Sequence, residues 1–108
     1  MRGEVFRLLA PRGVRGHEQS GSRFAGSRFA VVVQSDQLPL STWLVAPTST
    51  SARAASFRPS IEVVGTTTLV LAEQTAAVDP RRLGESVGFL SLDEMRRVDA
   101  ALRIVMDL

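Results

Sequence analysis

A mainly β, α+β fold is what this sequence predicts: a small, strongly bent antiparallel sheet or partly open barrel, with a C-terminal α-helix covering one end. Two observations lead there. Up to residue 90, short apolar runs rich in Val, Ile, Thr and Phe alternate with Gly, Pro and Ser clusters, as short strands do. From residue 91 the apolar spacing changes to that of a helix.

Gly3 to Ala10 reads as a first strand, closed by Pro11, which has no amide to give a sheet ladder. Pro11 to Ser27 is a long Gly/Arg/Ser loop, and ordered loops of that length are commonly functional. Phe29 to Gln34, β-branched and nearly all apolar, suits a central strand buried on both faces. Thr42 to Ala46 gives a third strand, stopped at Pro47 and followed by the hydroxyl-rich turn Thr48-Ser49-Thr50-Ser51. Beyond a loop carrying Arg53 and Arg58, Ile61 to Val64 and Thr68 to Ala72 form a hairpin turning at Gly65. Asp79 to Arg82 reads as a helical turn and Glu85 to Leu90 as the last strand. Ser91 and Glu94 have the spacing of a capping box. Behind them Met95, Val98, Leu102 and Val105 make one apolar stripe, while Asp93 with Arg97 and Asp99 with Arg103 form i,i+4 pairs on the wet side.

A chain of 108 residues suits one domain, 1–108, whose modest core subunit association would help. No run approaches the roughly eighteen apolar residues of a membrane span, and the start lacks the basic-then-apolar pattern of a signal peptide. The expectation is a soluble, cytoplasmic protein. With no cysteine and the single histidine His17, thiolate zinc sites are excluded and His-based metal clusters disfavoured, so chemistry without metal or cofactor is expected. The net charge of +2 is too mild to name a nucleic-acid binder. All thirteen basic residues are Arg; guanidinium forks suit phosphate, but codon preference is the simpler reading.

The densest chemistry lies in the loop and the strand after it. Gly16-His17-Glu18-Gln19 is followed by a tandem repeat of Gly-Ser-Arg-Phe-Ala, carrying Arg23 and Arg28, before Val31 to Asp36. His17 titrates nearest neutrality and is the natural proton shuttle. One copy of the repeat is surplus, and an odd insertion inside a paired strand would reverse its faces. The surplus is therefore expected to bulge in the loop, leaving Arg28 in register; spacing counted from Glu18 selects Arg23 instead.

Six segments in order resemble the MazF/PemK/Kid family of toxin endoribonucleases: Arg2-Gly3-Glu4-Val5-Phe6, Gly16-His17-Glu18-Gln19, Phe29 to Asp36, Val45-Ala46-Pro47-Thr48-Ser49, Leu71-Ala72-Glu73-Gln74, and Leu90 to Leu108. The resemblance implies an SH3-like barrel, a homodimer whose groove holds single-stranded RNA, and an antitoxin partner that occupies that groove. It further implies metal-free cleavage by attack of the ribose 2'-hydroxyl on its own phosphate, leaving 2',3'-cyclic phosphate and 5'-hydroxyl ends.

By the same resemblance, Arg28 holds the scissile phosphate and Ser49, where the family usually has Thr, donates a hydroxyl. Glu73 is the acidic catalytic residue, with a pKa expected to be raised by partial burial, and His17 and Glu18 complete the catalytic set. Position 71, where PemK-type members carry an arginine, is Leu71. The RNA-binding candidates are Gln19, Arg23, Thr48, Thr50, Arg53, Arg58 and Gln74, with Arg53 and Arg58 as backbone-phosphate contacts. Trp43 and Phe57 could stack bases, but a strand Trp is more often a core or dimer contact. Two alternatives stand beside the nuclease: a non-enzymatic toxin resembling the CcdB gyrase poisons, and a catalytically weakened member that only binds antitoxin.

Overall fold

The computed structural model describes residues 1–9 and 28–108. Its strands are β1 (Glu4–Leu8), β2 (Phe29–Val32), β3 (Trp43–Ser49), β4 (Ser60–Val63), β5 (Thr66–Val70), β6 (Ala76–Val78) and β7 (Leu83–Phe89), followed by helix α1 (Leu92–Met106). Every pairing is antiparallel, in the order β4-β5-β3-β2-β1-β7, with β6 added beside β3. The mainly β architecture with a C-terminal helix is the one the sequence predicts.

The apolar run of β2 lies between β1 and β3, and all four of its residues are buried. One face of the sheet packs Val5, Phe29, Val31, Ala46, Ile61, Val63 and Val70 against Val98, Ala101 and Leu102 of α1. The other gathers Ala30, Val32, Val45 and Leu83, with Phe6, Leu8, Trp43 and Val78 at its margin. Trp43 belongs to this second cluster, its ring 5.7 Å from that of Phe6.

The bend has local causes. The β1–β7 register slips on both sides of Phe6, and such bulges kink and twist a strand. Gly3, at φ 87°, donates to Val32 O and accepts from Leu90 N, so it ties β2 to the entry of α1. A Cβ there would meet Met95 Sδ at 3.3 Å.

The capping box closes as predicted: Ser91 Oγ accepts from Glu94 N, and Glu94 Oε1 accepts from Ser91 N. Asp93 pairs with Arg97 at 3.1 Å. The expected Asp99–Arg103 pair is replaced, because Arg2 reaches across from the N-terminus to Asp99 at 2.7 Å while its Nε donates to Val33 O. Two further expectations are corrected. β3 does not stop at Pro47 but runs through it, and β6, three residues of which two are Ala, was not foreseen. Among the described residues no helix is long and apolar enough to cross a membrane.

Candidate functional site

Arg28 immediately precedes β2, its carbonyl accepting from Leu8 N at 3.1 Å. Ala30 pairs with Pro47, and continuing that register sets Arg28 opposite Ser49. Thr48 fastens the junction from inside the sheet. It is fully buried, its Oγ1 accepts the Phe29 amide at 3.0 Å, and its carbonyl accepts Arg28 Nε at 3.0 Å. With Nε committed, the terminal fork is the end of Arg28 that can meet an anion. Ser49, half-buried on the next position, accepts the Ser51 amide at 3.2 Å. Its Oγ also lies 3.4 Å from Ser51 Oγ, a long contact from which its own O–H can turn to donate elsewhere. The two neighbouring hydroxyls thus divide: Thr48 secures the fold, and Ser49 stands at the surface.

Pro47 has a second effect. Leu71 N donates to Pro47 O at 2.8 Å, but proline has no amide to return the bond. The Leu71 carbonyl instead accepts from Gln74 N at 2.9 Å, closing the 3-10 turn Ala72–Gln74. Ala72 is buried against the helix side of the core, which presents Glu73 and Gln74 outward. The missing amide that sequence reasoning took as a strand stop is what starts the turn bearing Glu73.

Glu73 meets Arg58. Its Oε2 accepts from Arg58 Nη2 at 2.6 Å and from Nε at 3.0 Å, the side chains being 27% and 23% exposed. Arg58 Nη1 donates to Arg53 O at 3.1 Å, and the guanidinium lies over the Phe57 ring at 5.5 Å. These bonds lower the Glu73 pKa below its ordinary value. That corrects the expectation of a raised one: donation by a guanidinium outweighs the desolvation of a carboxylate that is only partly covered. The pair went unread in the sequence although a signal for it existed. Ser60 pairs with Leu69 and Pro59 O accepts from Val70 N at 2.8 Å, so the base of the hairpin brings Arg58 close to the turn that bears Glu73. Leu71 itself is a core residue, 4% exposed.

Thr50, Arg53 and Gln74 are exposed around this end of β3. His17, Glu18, Gln19 and Arg23 lie outside the described residues. Among the described residues no group of three or more His, Cys, Asp or Glu side chains converges as a metal site would.

Residues 1–106 match the family model described as the PemK-like, MazF-like toxin of type II toxin–antitoxin systems. The chain belongs to this family. A Mycobacterium tuberculosis H37Rv protein named as a candidate toxin is 40% identical over 103 residues, covering 94% of this chain and 92% of that protein. Among solved structures, a mycobacterial endoribonuclease in complex with its cognate antitoxin superposes with a TM-score of 0.76 at 16% identity, over 100% of this chain and 95% of that one. MazF from Deinococcus radiodurans gives a TM-score of 0.73 at 21% identity, over 99% and 96%. At those identities the structures speak for the fold, and the MazF-like toxin fold is the one seen here.

Proposed function

We propose that this MazF-like toxin is a metal-independent endoribonuclease that cuts single-stranded RNA, leaving 2',3'-cyclic phosphate and 5'-hydroxyl ends. The observation that carries the reading is the cross-strand placement of Arg28, fastened through Thr48, and Ser49. A phosphodiester seated there would have its oxygens met by the Arg28 fork and the Ser49 O–H, donors aimed where charge grows in the transition state. The ribose 2'-oxygen bonds to phosphorus as the bond to the 5'-oxygen breaks. One proton leaves the 2'-hydroxyl and one reaches the departing 5'-oxygen, tasks suited to His17 and Glu18. Gln19, Thr50, Arg53 and Gln74 would meet neighbouring nucleotides, whereas buried Thr48 supports the site from behind.

In this reading the protein works in the cytoplasm as a homodimer that regulates growth, restrained by a cognate antitoxin. The mycobacterial relative solved with its antitoxin supports such a partner. The test is incubation of the purified chain with single-stranded RNA in chelator, followed by end mapping. Cyclic phosphate and 5'-hydroxyl ends are expected. Intact RNA alongside inhibited DNA supercoiling would replace this reading with the gyrase-directed alternative.

A further inference from the structure

The Arg58–Glu73 pair sits at the same end of β3 as Ser49, yet the reaction above does not use it. We infer that Glu73 is a positioning residue: it holds Arg58 so that the outward edge of the guanidinium receives a backbone phosphate of the RNA beside the one being cut. The inference rests on the nuclease reading and deepens it.

Arg58 is gripped from several sides. Nε and Nη2 both donate to Glu73 Oε2, Nη1 donates to Arg53 O, and the Phe57 ring supports the guanidinium. Each terminal nitrogen carries a second hydrogen, so Nη1 and Nη2 can each still donate once more. A long side chain already fixed in one geometry gives up little further rotamer freedom when a ligand arrives. The pair is also tied to the site by backbone. Pro59, next to Arg58, accepts from Val70 N at 2.8 Å, and the following Leu71 amide bonds Pro47 O, two residues before Ser49.

Proton transfer is the competing use of Glu73, and the geometry disfavours it. An oxygen that accepts two bonds from one guanidinium belongs to a carboxylate held ionised, as its lowered pKa also indicates. Such a group has no proton to give the departing oxygen near neutrality and is a weak base for the 2'-hydroxyl.

Steady-state cleavage of a single-stranded RNA oligonucleotide in chelator, measured across pH and salt for Glu73→Gln, Arg58→Ala and the double variant, decides the matter. If Glu73 positions Arg58, each single variant raises KM by about tenfold, the loss expected for a charge-assisted contact. The pH profile keeps its shape, kcat changes little, and the double variant is no worse than Arg58→Ala, since the two residues act as one unit. The slope of log affinity against log salt falls by about 0.7 in Arg58→Ala, as for one lost contact to single-stranded phosphate. A kcat loss of about 100-fold or more in Glu73→Gln, with one limb of the pH profile gone, would overturn the inference and make Glu73 the acid or base.

Fluorescence anisotropy with the same oligonucleotide bearing 2'-deoxy sugars separates this inference from the reading beneath it. If the wild-type chain cuts nothing, the nuclease proposal fails. Weaker binding by both single variants would still support the positioning role, and unchanged binding would end it.

Discussion

Two 3-10 turns, Ala72–Gln74 and Pro80–Arg82, each set a carboxylate against a guanidinium, and they use the device differently. In the second, Asp79 caps its own turn, accepting the Arg81 amide at 2.9 Å and the Arg81 guanidinium at 2.7 Å, with the Arg81 side chain 89% exposed. In the first, Glu73 joins Arg58, fifteen positions away, and the turn beneath it is anchored by buried Ala72. Both carboxylates have lowered pKa values, that of Asp79 down to about 2. A depressed carboxylate therefore does not mark a site by itself. What distinguishes the first turn is reach: it links a loop to the strand end that carries Ser49, whereas the second closes on itself.

The largest effect expected from this contrast is catalytic. Arg28→Ala should slow RNA cleavage by about 100-fold to 1,000-fold, the usual result of deleting a donor to transition-state charge. Arg81→Ala should stay within about twofold, because a surface turn pair contributes little even to stability. Arg23→Ala should also keep most of its activity, since Arg28 immediately precedes β2 and the strand register sets it opposite Ser49. Initial rates on one oligonucleotide check all three. A loss in Arg81→Ala equal to that in Arg28→Ala would mean that the Pro80–Arg82 turn also serves cleavage.

A second test moves from rate to stability. Thr48→Val leaves the buried Phe29 amide without its acceptor, and urea denaturation should show a loss of about 1–3 kcal/mol. Ser49→Ala, one residue along the strand and half-buried, should lie within about 0.5 kcal/mol of wild type while cleaving more slowly. Equal destabilisation by the two would mean that both hydroxyls serve the fold.

What could be read in advance follows from the range of each interaction. β2 and α1 were legible because their signals are local: an unbroken apolar run for a strand buried on both faces, and a capping box ahead of a three-and-four stripe. β6 was not, because Ala76 and Ala77 lack the bulk that announces a strand and leave only Val78, and the extended form comes from pairing with Trp43 to Val45. Pro47 misled because the penalty for a proline in a strand depends on whether a partner waits for its amide; here the partner carbonyl is taken by Gln74. The pairs Arg2–Asp99 and Arg58–Glu73 join distant segments. The first displaced a helical i,i+4 pair that sequence spacing alone favoured, while the second follows once the hairpin register is known. At the candidate site, Arg28, Ser49 and Glu73 were named from the motif, but that Thr48 is buried while Ser49 stands at the surface was not legible, since it depends on which hydroxyl the pleat turns inward.

The hairpin that creates the Arg58–Glu73 proximity carries its own test. Val64 and Gly65 both have positive φ, 50° and 76°. This two-residue turn favours Asn-Gly, and a β-branched residue in the first position is strained. Val64→Asn should raise stability by about 1 kcal/mol in urea denaturation and leave cleavage unchanged, because the turn lies at the opposite end of the hairpin from Arg58. Faster or slower cleavage without a change in folding would show that the tip reaches the RNA.

The smallest effect separates the two ion pairs directly. A carboxylate whose folded pKa is depressed contributes stability above its unfolded pKa and loses it as pH falls through the folded value. For Glu73 that contribution, below about 1 kcal/mol, is complete above its ordinary 4.5 and fades beneath it; for Asp79 it is complete above 3.8 and fades towards about 2. Denaturation midpoints of Glu73→Gln and Asp79→Asn, each compared with wild type from neutral to acid pH, should converge on the wild-type curve in that order as the solution is acidified. Salt then distinguishes the turns. Near 1 M ionic strength screening acts within about 3 Å in water, so the Asp79 pair, whose Arg81 side chain is 89% exposed, should lose its advantage first. Glu73, held by two bonds from one guanidinium that is itself 23% exposed, should keep part of its own. Equal salt sensitivity would place both pairs in the same solvent-screened class and remove the distinction between a turn that closes on itself and one that positions an arginine.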